Sequence, residues 1–221
     1  MKLLLLHLSD IHIKTAEDTI FGRVSKIVDA VKNLEPDVRS IICVLSGDIT
    51  FSGSDEQYLC ALDFISEIKA GLKPHLASEV PVYFVGVPGN HDCDFSDPSQ
   101  AREVLLEKAR SNPSFLADSS FADICLGPQR RFFDFIEAID GLPLASNASK
   151  DRRLYAEHNL IIGNETVVFR CCNTAALSQL HEQPGTLAFP SEMIPSSVES
   201  VDVSVGVMHH PHNWFFADFR G

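Results

Sequence analysis

The sequence is poor in basic residues. It has 18 Lys plus Arg against 30 Asp plus Glu, which gives a formal net charge of −12 at pH 7. An electrostatic field of this sign repels the phosphates of nucleic acids and of anionic membranes. A nucleic acid is therefore not an expected partner of this chain.

Long apolar runs are also missing. No stretch reaches the roughly 18 to 20 apolar residues that a helix needs to cross a bilayer, so we expect no membrane span. The apolar start MKLLLLHLSDIH superficially resembles a secretory signal, but His7, Ser9 and Asp10 interrupt it and no small-residue cleavage site follows. A first core strand explains this segment better than a signal peptide.

The six cysteines include no C-x-x-C pair, so the sequence predicts neither a zinc finger nor a dithiol redox site. Most of them fall in apolar patterns and are expected to be buried. Cys93 and Cys125 lie in less regular stretches and are expected to be more exposed. Unpaired thiols and the missing signal favour a reducing cytoplasm.

Apolar strands alternate with amphipathic helices along the first 90 residues, as in a largely parallel sheet with helical crossovers. The 2–9 run predicts a strand covered on both faces. Pro36 should end the first helix, and Ser54 with Gln57 forms a plausible capping box for the second. The predicted strands are 2–9, 40–46 and 81–87, and the predicted helices are 20–34 and 55–70.

The pattern changes after the third strand, although the chain should form a single domain over 1–221. Residues 93–151 predict a helical insertion with two helices, which either walls the site or only packs on the body of the domain. Three further strands are predicted, with a hairpin turn at Gly163 and Asn164 between the first two. They cover residues 153–158, 166–173 and 203–208.

Four segments end an apolar run with side chains that bind metals. Each signal is weak alone, because an aspartate after a strand also begins loops and caps helices. Strand-like spacing would point Asp10 and His12 to the same side, and parallel strands collect such residues at one sheet edge. Together they predict a two-metal hydrolytic site. The segments are LSDIH with Asp10 and His12, LSGDIT with Asp48, VPGNHD with Asn90 and His91, and VMHHP with His209 and His210.

This ordered series resembles the calcineurin-like metallophosphoesterase superfamily, with four of its five signature blocks between Lys2 and Pro211. The resemblance implies an α/β fold: a two-sheet β-sandwich flanked by helices, in four αββα layers. It also implies a dinuclear centre of divalent or trivalent ions, with Mn, Fe or Zn suited to the oxygen and nitrogen ligands. The implied activity is hydrolysis of a phosphomonoester or phosphodiester by a metal-bridging hydroxide.

The resemblance also implies a role for each ligand. Asp10 and His12 would bind the first metal, Asp48 would bridge both, and Asn90 and His209 would bind the second. His209 is chosen over its neighbour because the first histidine after the strand matches the family ligand.

The same resemblance makes His91 the catalytic histidine, which contacts the phosphate and protonates the leaving oxygen, and Asp92 would orient it. His210 and His212 are expected to lie behind the ligands or on the surface.

The family's fifth block, a Gly-His-x-His at the end of a further strand, has no match here. We therefore expect the chain to be a C-terminally incomplete piece of a longer protein, or water to replace the missing ligands. The alternative function is a weakened or inactive domain that serves as an interaction or regulatory module.

The expected substrate is a phosphorylated small molecule or a nucleotide-type compound. Its specificity would come from the insertion and from Trp214, Phe215 and Phe216, which either stack on a base or belong to the core.

Overall fold

Two three-stranded β-sheets form the centre of the fold, with helices on their outer sides. The computed structural model describes residues 2–32, 38–139, 141–144, 151–194 and 201–215. The first sheet has the order β1-β2-β3, with all strands parallel, and the second has the order β4-β5-β6. The predicted two-sheet architecture is confirmed. The strands are β1 (Lys2–Leu8), β2 (Val38–Ser46), β3 (Val82–Val87), β4 (Tyr155–Ile162), β5 (Glu165–Cys172) and β6 (Val203–Val207).

The central strand β2 explains the layered arrangement. Its residues alternate between two apolar clusters, because successive side chains of a strand point to opposite faces. Ile41 and Cys43 pack against the helices on one face, whereas Ile42 and Val44 face the second sheet. Phe169 of β5 meets them in the layer between the sheets and is fully buried. A strand that is buried on both faces has a continuous apolar run in its sequence. The position of β2 was therefore predicted well from the sequence.

The strand β1 is covered less completely than predicted. Leu4, Leu6 and Leu8 pack against the apolar cluster on the helix side, and Leu3 packs against the cluster between the sheets. The strand lies at the edge of the described sheet and pairs only with β2 there. All seven of its residues are exposed or half-buried, and Leu5 remains 44% exposed.

The first two crossovers carry α1 (Val24–Val31) and α2 (Asp55–Leu72). A 3₁₀ turn, Thr19–Arg23, replaces the first part of the predicted 20–34 helix, and the predicted stop at Pro36 lies outside the described residues. The hydroxyl of Ser54 accepts the amide of Gln57, as in a capping box. The Gln57 side chain, however, accepts the amides of Phe51 and Ser52 instead of returning to the cap.

Three helices, rather than the predicted two, follow β3: α3 (Gln100–Ser111), α4 (Ser119–Leu126) and α5 (Arg130–Ala138). The unpredicted α4 packs with α3 on the outer side of the second sheet. The expectation that Cys93 and Cys125 are exposed is wrong, since they are 2% and 0% exposed. Cys125 packs into an apolar cluster, as a small hydrophobic residue does, whereas the Cys93 thiol donates to the Gly89 carbonyl at 3.7 Å.

The second sheet begins with the predicted hairpin. The strands β4 and β5 pair antiparallel from Ile162 opposite Glu165, so Gly163 and Asn164 form the two-residue turn. Gly163 has a φ of 66°, in the left-handed region that such a turn requires. The strand β6 then pairs parallel with β5 and leads to His209.

Candidate metal centre

The loops after β1 and β2 run side by side and carry three of the predicted ligands. The amide of Asp10 donates to the Gly47 carbonyl at 3.2 Å, and the amide of His12 donates to the Asp48 carbonyl at 3.0 Å. These bonds continue the pairing of β1 with β2 beyond both strands. They hold Asp10, His12 and Asp48 at the carboxyl edge of the sheet, where the sequence predicted them.

The backbone of this edge is strained. Asp10, His12 and Asp48 have φ values of 55°, 52° and 55°, and they are the only non-glycine residues with positive φ in the described ranges. The left-handed conformation costs roughly 1–2 kcal/mol per residue, although Asp and His tolerate it better than most. The expectation of strand geometry from Asp10 to His12 is therefore wrong. Strain of this kind gathers at functional sites, because the surrounding structure must hold it.

The predicted ligands meet in two groups that share one carboxylate. The first is His12, Asp48 and His91, and the second is Asp10, Asp48 and His209, with ligand atoms within 4.8 Å of one another in each. Asp48 is 4% exposed, so its charge is almost fully removed from water. A buried carboxylate between two groups of ligands is the arrangement that a pair of metal ions requires.

Asn90 lines the same cavity, of about 330 Å³, as both groups. The geometry thus brings all the predicted ligands together. It places Asp10 with His209 and His12 with His91, so the predicted division of the ligands between two ions remains a prediction.

Two glycines allow this close packing. A β-carbon on Gly89 would lie 2.1 Å from Oδ1 of Asp48, and one on Gly47 would lie 2.6 Å from Nδ1 of His209. No real β-carbon approaches another heavy atom so closely. The GD and GNHD motifs therefore need their glycines for space around the ligands, in addition to the φ of 92° at Gly47.

Backbone carbonyls orient two of the histidines. Nδ1 of His209 lies 2.9 Å from the Ser46 carbonyl oxygen, and Nδ1 of His91 lies 2.7 Å from that of Phe51. A carbonyl only accepts hydrogen bonds, so we assign the proton to Nδ1 in both rings. Nε2 is then the nitrogen that each ring presents to the site, an orientation that metal-binding histidines commonly have.

The donor set fits metal ions better than it fits an internal hydrogen-bond network. Nε2 of His12 lies 3.6 Å from Oδ2 of Asp48, and Nε2 of His209 lies 3.5 Å from Oδ1, both longer than a good hydrogen bond. Nδ1 of His12 is buried without a hydrogen-bond partner in the described structure. The candidate ligand groups offer only oxygen and nitrogen atoms, a donor set that suits metal ions.

Comparison with known proteins agrees with this geometry. The family model of calcineurin-like phosphoesterases matches residues 3–220, nearly the whole chain. The chain belongs to this family. Calcineurin-like phosphoesterases hydrolyse phosphoesters with the help of a dinuclear metal site, and the two ligand groups that share Asp48 are candidates for that site. None of the curated proteins compared with the chain matches it.

Asp92 was expected to orient the His91 ring, but in the described structure its carboxylate bonds to the loops that carry the candidate ligands. Its carboxylate is fully buried and accepts the amide of Gly89 on one oxygen, at 2.9 Å, and the amide and hydroxyl of Thr50 on the other. The carbonyl of Phe51 holds the His91 ring instead. Burial raises the pKa of the Asp92 carboxyl to about 6, while these amides oppose that rise.

Sequence reasoning missed the partner of His210. This ring is 2% exposed, and its Nε2 lies 3.1 Å from a carboxylate oxygen of Glu182. The backbone amide of His210 also donates to the Thr174 hydroxyl at 2.9 Å. Both contacts support the loop that presents His209, as expected for a histidine behind the ligands, whereas His212 is exposed. No local pattern in the sequence marks Glu182, because it comes from a distant loop.

The aromatic residues after β6 divide between core and site. Phe215 is 7% exposed and belongs to an apolar cluster with α3 and α4. Trp214 packs on that cluster and also lines the cavity of the metal centre. Phe216 lies outside the described residues. No helix in the described structure is long and apolar enough to span a membrane.

Proposed function

We propose that this chain is a metal-dependent hydrolase of small phosphomonoesters or phosphodiesters of nucleotide type, with His91 as the proton donor. One observation carries the proposal: two groups of ligands, one of which includes His91, share the buried Asp48 and line a cavity of about 330 Å³. Because free thiols predominate in reducing compartments, the six free cysteines favour the cytoplasm as its location.

Five residues would hold two Mn, Fe or Zn ions: Asp10, His12, Asp48, Asn90 and His209. When bound, such ions neutralise phosphate charge, lower the pKa of water and orient the attacking oxygen. The cavity also concentrates the negative charge of Asp10 and Asp48 in a chain of net charge −12. This field would repel a phosphate unless cations invert it locally.

His91 holds the proton that the leaving oxygen needs. The Phe51 carbonyl accepts from Nδ1, which fixes the ring and leaves Nε2 as the atom that would donate the proton. Asp92 keeps His91 in place indirectly, because it ties Gly89 and Thr50 together on both sides of the site.

The metal-binding part is tested by titrating the purified chain with Mn²⁺ and counting bound ions after gel filtration. We expect two ions per chain, loss of both in Asp48→Asn and loss of one in His209→Gln. His212→Gln is the matched control, because this exposed histidine lies outside both ligand groups. Absence of metal uptake by the unchanged chain would overturn the proposal.

The proton-donor role is tested with His91→Gln and two aryl phosphodiesters. Phenolate is a poor leaving group and needs a proton, whereas 4-nitrophenolate leaves without one. We expect kcat on the phenyl ester to fall about 10²–10⁴-fold, the usual contribution of a general acid, and much less on the nitrophenyl ester. An equal loss on both esters would contradict proton donation by His91.

A further inference from the structure

A second, larger cavity opens beside the metal centre. Its volume is about 630 Å³, against about 330 Å³ for the cavity over the ligands, and Asn90 and His91 line both. In the proposed function, His91 protonates the oxygen of the leaving alcohol. The rest of that alcohol must then lie on the His91 side of the phosphate, where the larger cavity begins.

The near wall of this cavity offers rings and apolar surface. The Phe51 ring is 42% exposed, and its centroid lies 5.4 Å from that of the His91 ring. Phe95 and the 70% exposed Leu180 continue the apolar surface away from the metal centre. Exposed aromatic rings beside a polar site bind planar groups by stacking and by burying their surface.

One arginine, Arg131, is among the described residues that line the cavity. Two carboxylates already accept hydrogen bonds from its guanidinium. Nε and Nη2 of Arg131 donate to the Asp55 carboxylate, with Nη2 at 2.9 Å, and Nη1 donates to Asp94. A guanidinium forked onto one carboxylate and bonded to a second has little attraction left for an anionic ligand. The bond from Arg131 also lowers the pKa of the Asp55 carboxyl, so Asp55 is charged at neutral pH.

The charged groups at this wall are acidic on balance. Glu56 adds a third carboxylate to Asp55 and Asp94 on the lining, where Arg131 is the cation. A second cation, Nζ of Lys14, lies 4.3 Å from the centroid of the Phe51 ring. The formal sum is −1. An anionic group on the alcohol would meet net repulsion from this wall, whereas a neutral or cationic one would not.

We propose that this cavity receives the leaving alcohol of the phosphoester and selects a planar aromatic group, of aryl or nucleobase class, that is neutral or cationic. An alcohol with a second phosphate or a carboxylate is disfavoured. The inference rests on the proposed function, because it takes the position of the alcohol from the role of His91.

The experiment uses three phosphonates that cannot be hydrolysed at the aryl position: phenylphosphonate and its 4-carboxy and 4-aminomethyl derivatives. Binding to the Mn²⁺-loaded chain is measured by calorimetry. We expect the carboxylate to bind several-fold more weakly than the parent compound and the aminomethyl derivative to bind at least as tightly. Equal affinities for all three compounds would overturn the charge selection.

A matched pair of variants on α2 locates the effect. Glu56→Gln should narrow the difference between the carboxylate and the aminomethyl compound, whereas Glu67→Gln should not change it. Glu67 is exposed on the same helix but does not line the cavity, so it changes the net charge equally. Identical behaviour of the two variants would also overturn the charge selection.

The aromatic part is tested with Phe95→Leu, which keeps an apolar side chain at this half-buried position. It should weaken phenylphosphonate and leave methylphosphonate unaffected, because only the former carries a ring. Equal weakening of both compounds would overturn the aromatic selection. If the metal-loaded chain binds none of these phosphonates and hydrolyses no aryl phosphodiester, the proposed function itself fails.

Discussion

Gly89 and Asp48 are packed so closely that a β-carbon on the glycine would lie 2.1 Å from Oδ1 of the carboxylate. The same carboxylate oxygen accepts the amide of His91 at 2.9 Å. The glycine thus lets the loop after β3 approach the aspartate that the two ligand groups share. We expect Gly89→Ala to displace Asp48 and to weaken Mn²⁺ binding about 10–100-fold, as changes behind metal ligands commonly do.

This effect is measured by titrating the variant with Mn²⁺, and far-ultraviolet circular dichroism shows whether the fold persists. Gly22→Ala is the control, since a β-carbon at Gly22 would meet no atom within 4 Å. Unchanged Mn²⁺ affinity in a folded Gly89→Ala chain would show that close packing on Asp48 does not determine the metal site.

Asp92 should be essential for stability even without metal. Its two oxygens accept the amides of Gly89 and Thr50, both at 2.9 Å, in a fully buried position. In Asp92→Asn one amide would face an NH₂ group, which cannot accept. We expect the free energy of unfolding to fall by about 1–3 kcal/mol, the cost of an unsatisfied buried donor.

Urea denaturation of the metal-free chain at pH 8 tests this effect, because the carboxylate with its pKa of about 6 is ionised there. The exposed Asp97, changed to Asn, is the control and should stay within about 0.5 kcal/mol of the unchanged chain. Equal stability of both variants would contradict the supporting role of Asp92.

The strand ends that carry the candidate ligands were predictable, but the local conformations of these residues were not. Asp48 follows a strand that is buried on both faces, and such a strand leaves a clear apolar run in the sequence. The left-handed backbone of Asp10 and His12 leaves no such mark, because aspartate and histidine tolerate both conformations.

Hydrogen-bond partners that are distant in the chain could not be predicted from the sequence either. His210 pairs with Glu182, and Arg131 bonds to Asp55 across 76 positions of the chain. Such pairs depend on how loops and helices meet in space, so neither local spacing nor periodicity predicts them. The edge position of β1 belongs to the same class, since its apolar run is no different from that of a central strand.

One thiol should react much faster than the other five in the native chain. Cys60 on α2 is half-buried, whereas the remaining cysteines are buried. Burial also raises the pKa of Cys172 to about 11, which makes its reactive thiolate scarce at neutral pH. We expect a thiol-disulfide reagent to modify one group rapidly in buffer and six in denaturant.

Cys60→Ser should remove the rapid reaction and leave five groups that react in denaturant. Two or more fast thiols in the unchanged chain would contradict the burial of the other five cysteines, which include Cys93 and Cys125.

His158 should make the fold less stable in mild acid. Burial lowers its pKa below 6.5, although the bond from Nδ1 to the Leu142 carbonyl, 2.8 Å long, opposes this. As the pH falls through about 6.5, the unfolded chain takes up the proton before the folded chain does. The free energy of unfolding therefore falls as the pH decreases from 7 through the lowered pKa of the folded state.

In His158→Asn, which keeps a donor for the Leu142 carbonyl but does not titrate, this part of the pH dependence should disappear. Urea denaturation at several pH values between 5 and 8 measures both slopes, with the exposed His75, changed to Asn, as the control. If His158→Asn and His75→Asn show the same slope, the buried imidazole does not govern the acid sensitivity of the fold.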